Sequence, residues 1–516
     1  MSAKRRFIIA VDIGTTSMRA CVYDHECRLE FFTQRPVSVE YNQSEEGRLL
    51  VEMDPDRLWA DFKQLVEEAI DRLADRSLLA GLCLCCQRNT FISWDRETLQ
   101  PVHPLITWKD ERAAAQCKAW NKSAVIKVLR LLRFILRTAL AFRPSTGAGR
   151  SPTSSREAER FNAAKVFKFV NAMVTHRFLA TLQEVSVSSG SCWPRIALCL
   201  GTMDSWLQMK LTSGRSWATD ASNASSTGLY DPFLQDWGHA ILRLVGFPSS
   251  VLPELKPTAG QELGTIDEKI FGMEIPILCS VADSQAAAFG SNCLSPAEVK
   301  ISLGTGTFVN VVTNRPHAAF TGVYPLVGWT LPDRTTFVVE ARANDTATSI
   351  NWALSVGLCA SVEEASNFDD TPAQFGLCFV PAFNGIQTPH EDNAACAAFL
   401  GIGPKTSKRQ MLRALVESIA FSVKQIWDEL EEQKLAPKAP TVRLCGGPVE
   451  RMVEPEFCSA KGAALLGGLT AGMWTLDDVH ELVAVDRRFD PRAVEGLDAR
   501  YVQWKKAVKR CLEYYE

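Results

Sequence analysis

Asp12 closes an apolar run, Phe7 to Val11, and is followed by Gly14-Thr15-Thr16-Ser17 and a second apolar run, Ala20 to Tyr23. The pattern predicts two strands joined by a tight turn. Such a turn gathers backbone N–H groups and three hydroxyls into one small space, which suits an anionic phosphate. Asp12 stands where a carboxylate can hold water on Mg²⁺. An ordinary hairpin with a polar turn is the alternative, because short Gly-Thr turns are common. A second copy follows in the other half of the chain, where Val299 to Val312 places Gly304-Thr305-Gly306-Thr307 between two apolar runs. Two phosphate-type hairpins point to two related domains closing on one nucleotide.

The elements that must position these groups are readable around them. Asp54-Pro55 opens a helix with Leu58, Phe62, Leu65, Ile70 and Leu73 at helical spacing, and Leu79 to Cys86 follows as an apolar strand. Strand, helix and strand in alternation predict an α/β domain. The second strand delivers Gln87-Arg88-Asn89-Thr90 at its carboxyl end, where ligands sit in open α/β sheets. Arg88 there offers a fork of donors for hydroxyl groups, or it is a surface arginine paired with Asp95 or Glu97. Trp108, in Trp108-Lys-Asp-Glu-Arg112, either covers a ligand's apolar edge or packs in the core. Polar residues of Gly201 to Trp206 and Thr219 to Ser225 predict hydrogen-bond networks bracing a pocket. Asp283 falls between the buried strand Ile275 to Val281 and a small-residue helix, Ala286 to Phe289. It is either the N-cap of that helix or a general base. Val442 to Gly447 is a strand running into a double glycine, which lets backbone approach a base and ribose closely or makes a tight turn.

Length and composition set the bounds. A chain of 516 residues exceeds one compact core and predicts two domains, placed at 1–294 and 295–516. With 46% hydrophobic and 22% charged residues the composition is that of a soluble globular protein, and a net charge of -3 gives no global attraction to nucleic acid. Residues 124–137 carry Lys127, Arg130, Arg133 and Arg137 along one side of a predicted helix. We read this as a solvated basic face, with contact to an anionic membrane surface as the alternative. Residues 143–156 are rich in Ser, Pro and Gly and predict a disordered loop. The N-terminal apolar run is too short for a signal sequence, and no run reaches transmembrane length. The sixteen cysteines are read as reduced, buried thiols of a cytoplasmic protein.

Taken together and in order, Asp12-Ile-Gly-Thr-Thr-Ser-Met-Arg19, Gln87-Arg88, Gly201-Thr-Met-Asp-Ser-Trp206, Thr219 to Ser225, Ala282-Asp283-Ser-Gln285, Gly304 to Thr307 and Gly446-Gly447 resemble the FGGY carbohydrate kinases, nearest to the glycerol kinases. The resemblance implies two RNase H-like domains of the actin and Hsp70 ATPase superfamily with the active site in the cleft between them. It implies phosphoryl transfer from ATP with Mg²⁺ to a small polyol, glycerol first. Alternatives are another polyol or ketose, or a degenerate kinase with a binding or regulatory role. By resemblance Asp283 is the general base, and Arg88, Asn89, Asp283 and Ser284 line the acceptor site. Thr15, Thr16, Ser17 and Arg19 bind phosphates from the first domain, while Thr305, Ala347 and Gly447 contact nucleotide from the second. Asn89 and Ser284 stand where glycerol kinases carry Glu and Gln. No Tyr occurs between Tyr41 and Tyr230, the part of the fold where glycerol kinases place a substrate-binding tyrosine. An acidic residue of actin-like ATPases is replaced by Leu303, so the acid for chemistry must come from elsewhere, and Asp283 fits.

Overall fold

The computed structural model describes residues 6–123, 173–189, 198–244, 246–304, 306–317, 322–366, 373–438, 440–445, 457–483, 488–490 and 494–515. The basic segment 124–137, the loop 143–156, Thr305 and Gly447 lie outside the described residues.

The first sheet holds six strands: β1 Phe7–Ile13, β2 Ser17–Tyr23, β3 Leu29–Pro36, β4 Leu79–Cys86, β5 Gly264–Ile266 and β6 Ile275–Ala282, in the order β5-β6-β4-β1-β2-β3. β1, β4 and β6 are parallel neighbours, and Ile13 and Ala282 both pair with Cys86. Their carboxyl ends therefore form one edge. Their side chains alternate between two cores: Ile9, Val11, Leu82, Leu84 and Ile277 face one, Ile8, Ala10, Cys83, Cys85 and Cys279 the other. Covering both faces explains why these strands read as unbroken apolar runs. On the first face lies helix α1, Pro55–Asp71, capped by Asp54, whose Oδ1 accepts from the N–H groups of Asp56 and Arg57 at 2.8 and 3.2 Å. Leu58, Phe62, Leu65, Val66 and Ile70 are its buried stripe.

The second sheet repeats the arrangement with β7 Glu298–Leu303, β8 Thr307–Thr313, β9 Val323–Leu331, β10 Arg334–Ala343 and β11 Thr441–Cys445, in the order β9-β10-β8-β7-β11. β7 and β8 form an antiparallel hairpin as β1 and β2 do, and β11 runs parallel to β7 as β4 does to β1. A further sheet of Glu40–Gln43, Leu49–Met53, Phe91–Asp95, Leu105–Ile106 and Leu198–Thr202 flanks the first.

Two helices join the halves. α2, Asp283–Gly290, leaves β6 at the shared edge, and α5, Cys458–Thr470, packs across it and against β1, β4 and β6. Between them in sequence come α3, Thr346–Ser355, and α4, Lys408–Glu432, the latter opened by a capping box of Ser407 and Gln410. Where α2 and α5 cross, a Cβ on Gly290 would stand 2.1 Å from the Cys458 carbonyl oxygen, and one on Gly462 1.8 Å from that of Ala286. Only glycine permits this approach. Every cysteine among the described residues is an unbridged thiol, and all but Cys458 are buried. No helix among the described residues is long and apolar enough to cross a membrane.

Candidate active site

The shared edge of the first sheet brings together the groups singled out in the sequence. After β1, the turn Gly14-Thr15-Thr16 is closed by the Gly14 N–H on the Ser17 carbonyl at 3.1 Å, while the Thr16 carbonyl accepts from Val37 N–H at 3.0 Å. Gln87, which is buried, fastens this turn to β4. Its N–H donates to the Ile13 carbonyl at 3.0 Å and its Nε2 to the Gly14 carbonyl at 3.2 Å. Thr16 is exposed, and Thr15 and Ser17 are half-buried. Arg19 pairs in register with Asp12 and donates through Nε to Gln34 Oε1 at 3.0 Å, its guanidinium 5.5 Å from the Phe457 ring.

Asp12 sits deeper. Its Oδ2 accepts from Ser459 Oγ, in the first turn of α5, at 2.6 Å. Burial raises its proton affinity, and the Ser459 and Cys85 side chains and the Arg19 charge pull it back. A carboxylate held in this way suits a divalent ion, whose charge would offset the cost of burying the anion. Among the described residues no three His, Cys, Asp or Glu side chains gather into a metal cage. The donor present is the single carboxylate of Asp12, a ligand of the kind that Mg²⁺ takes together with water and phosphate oxygens.

Asp283 is the first residue of α2, but the N-cap position belongs to Ala282, so the capping alternative does not hold. Its Oδ1 accepts from the Ser284 N–H at 2.7 Å, and 37% of its side chain remains exposed. Desolvation pushes its carboxyl up to about 6, against the nearby Arg88 charge and with help from Asp12. That is the proton affinity a general base needs near neutral pH.

Arg88 is not a surface arginine paired with Asp95 or Glu97. Asp95 instead caps its own turn, accepting from Glu97 and Thr98. The Arg88 side chain is 14% exposed, with Nε 3.9 Å from Asp283 Oδ1 and Nη2 on both oxygens of Glu340 at 2.8 and 3.0 Å. Burial opposes its charge, and Glu340 and Asp283 outweigh that and hold it protonated. Asn89 adopts the left-handed region at φ 62°, and its carbonyl accepts from Arg177 Nη2 at 2.6 Å. Its Oδ1 is buried without a hydrogen-bond partner. Ser284 Oγ lies 3.2 Å from Glu340 Oε2 and 3.4 Å from Asn310 Oδ1.

The polar stretches near residues 201 and 219 do brace this site. Asp204 Oδ1 accepts from Thr202 at 2.5 Å, and its Oδ2 from Thr219 at 2.9 Å and Ser280 at 3.3 Å. Asp220 accepts from Thr258, Ser222 and Asn223, and Ser222 Oγ receives the Ala282 N–H at 2.9 Å, directly before Asp283. Trp108 is half-buried beneath the Lys109 ammonium at 5.5 Å, while Asp110 accepts from the Val51 N–H at 2.9 Å and from Arg112.

From the second half, the hairpin turn is closed by the Gly304 N–H on the Gly306 carbonyl at 3.0 Å. Thr307 Oγ1 is 2.6 Å from that of Thr346, which starts α3, so half-buried Ala347 stands beside the turn. β11 ends at Cys445 opposite Ser302, at the same end of the sheet. The sequence reading missed Glu340, Lys300 and Ser459. Glu340 had one signal, a lone acid inside the apolar run Phe337 to Ala341.

A Gly-Thr hairpin in each half, with acids at the strand ends between them, is carried on a two-domain α/β fold of the actin and Hsp70-like kind. The chain belongs to the FGGY family of carbohydrate kinases: residues 7–139 and 190–290 match the family's N-terminal domain, and 299–453 its C-terminal domain. In sequence it is similar to glycerol kinase 5 of Danio rerio, 34% identical over 553 residues covering 100% of this chain and 98% of that protein. It is also similar to glycerol kinase of Thermus brockianus, 31% identical with 98% of each chain covered. In fold it is similar to the crystal structure of Plasmodium falciparum glycerol kinase with ADP, at TM-score 0.78, 22% identity and 98% of each chain. A gluconate kinase from Lactobacillus acidophilus follows at TM-score 0.76 and 16% identity, over 98% of this chain and 97% of that one.

Proposed function

We propose that this chain transfers the γ-phosphoryl group of ATP to a hydroxyl of a small polyol, and that glycerol, giving sn-glycerol 3-phosphate, is the first acceptor to test. The observation that carries this is the placing of Asp283, tuned to about 6, beside Arg88 at the same sheet edge as Asp12 and the Gly14 turn. In this reading Arg88 orients the acceptor and Asp283 takes the proton of the attacking hydroxyl. Thr15, Thr16, Ser17 and Arg19 hold phosphates from the first half, and Thr305, Ala347 and Gly447 the nucleotide from the second. Asp12 would hold Mg²⁺ through water, and the ion supplies neutralisation of charge on the transferring phosphates. A division of the chain at 294/295 then separates the acceptor site and base from the second hairpin. Sequence similarity to glycerol kinases supports the choice of acceptor.

Asn89 favours a second reading, in which the acceptor is another polyol or a ketose. Its unpartnered amide oxygen supplies a neutral acceptor, not a charge, next to Arg88. Turnover with Mg·ATP against glycerol and a panel of polyols and ketoses tests both readings. Acceptor-dependent ADP release is expected. ATP hydrolysis indifferent to every acceptor would remove the sugar-kinase assignment, and absence of nucleotide binding would leave a regulatory protein on a kinase fold.

A further inference from the structure

Glu340 lies in mid-strand on β10, its side chain 6% exposed, between the buried residues Val339 and Ala341, which face the other side of the sheet. A carboxylate in that position is costly unless it is fully hydrogen-bonded. It is. Arg88 Nη2 reaches both oxygens, Asn310 Nδ2 donates to Oε2 at 2.9 Å, and Ser284 Oγ stands 3.2 Å from the same oxygen. Asn310 is its cross-strand neighbour on β8, whereas Arg88 and Ser284 come from the other half of the chain. Buried Lys300 on β7 completes the cluster, donating to the Ser284 carbonyl at 3.3 Å.

The arrangement gives Arg88 a partner other than the base. Its Nη2 is engaged by Glu340, while its Nε stays 3.9 Å from Asp283, beyond hydrogen-bond reach. Without the Glu340 charge, the nearest carboxylate left for Arg88 is Asp283. The guanidinium would then close on the base, and both the acceptor fork and the free carboxylate would be lost. We propose that Glu340 is the positioning residue of the acceptor site: it holds Arg88 from the second half of the chain, so the site is complete only when the second sheet is seated on the first. The inference rests on the kinase reading above and assigns Glu340 no contact with the acceptor.

The test is a double-mutant cycle of Glu340→Gln and Arg88→Ala, with acceptor and ATP varied separately and acceptor affinity also measured by calorimetry. Glu340→Gln is expected to lower kcat/KM for the acceptor on the order of tenfold to a hundredfold, the loss expected for a charge-assisted contact, with KM for ATP unchanged. On the Arg88→Ala background it should cost nothing further, and Glu340→Asp should recover part of the loss. Should Glu340→Gln not fold, Glu340→Asp provides the same cycle, because its shorter arm draws the carboxylate away from Arg88 Nη2. Additive losses, or a parallel rise in KM for ATP, would overturn the proposal while leaving the kinase intact. Wild-type protein without turnover on any acceptor would overturn the kinase reading and this inference with it.

Discussion

Gly462 on α5 meets Ala286 on α2 so closely that a single methyl group on Gly462 would stand 1.8 Å from the Ala286 carbonyl oxygen. Backbone faces backbone here, and no side-chain rotamer can relieve the clash. α2 begins with Asp283 and α5 carries Ser459, the partner of Asp12, so this crossing ties Asp283 to the Gly14 hairpin. Gly462→Ala is therefore expected to destabilise the protein by about 1–3 kcal/mol, as overpacking does, and to lower turnover as well. Gly403→Ala, whose Cβ would come no nearer than 3.9 Å to Thr406 Oγ1, is the control and should change little. Thermal or urea unfolding of the two variants decides the matter, and equal stabilities would refute the argument.

Asp283→Asn keeps the size of the side chain and removes the proton acceptor. Loss of a general base costs roughly 10²–10⁴-fold in rate, so kcat should fall by that order while nucleotide affinity, measured by calorimetry with Mg·ATP, stays within about twofold on the separation of roles argued above. Retention of full turnover would remove Asp283 from the chemistry.

The pH profile follows from the same residue. Burial raises the Asp283 carboxyl to about 6 and Arg88 draws it down. In the proposed role of base Asp283 works only when ionised, so kcat/KM should climb about tenfold per pH unit below 6 and level off above it. Arg88→Met removes the charge that favours the ionised form and should move this limb to higher pH. A limb that stays in place would mean that another group controls it.

Asp204 should leave its mark on stability. It is fully buried and is raised from 3.8 to about 6, by desolvation first and the neighbouring Asp220 second. The folded state thus binds this proton more tightly than the unfolded chain. The corresponding stabilisation is complete below about pH 4 and is lost as pH rises through about 6. Denaturant unfolding between pH 4 and 6.5 should show a steeper fall in stability for wild type than for Asp204→Asn. Identical slopes would place the ionisation elsewhere.

Much of this was legible in the residues because it is written in short-range patterns. The run Leu82 to Cys86 announces a strand covered on both faces, Asp54 before Pro55 announces a helix start, and Gly14 and Gly304 between apolar runs announce two turns. Asp283 could be placed at the end of its strand for the same reason. The alternative it carried, a helix cap, was settled only by backbone geometry, which gives that position to Ala282.

What the chain order alone determined, then, is which residues leave the carboxyl ends of β1, β4 and β6, because parallel strands in register carry their ends to one edge. The tertiary structure decided who meets them there. Ser459 reaches Asp12, Glu340 reaches Arg88 and Lys300 reaches the Ser284 carbonyl, all from the second half of the chain. No local periodicity specifies such pairs. They form because burial leaves each charge or hydroxyl no water to bond, and the only partners available are those that packing the second half against the first brings within about 3 Å.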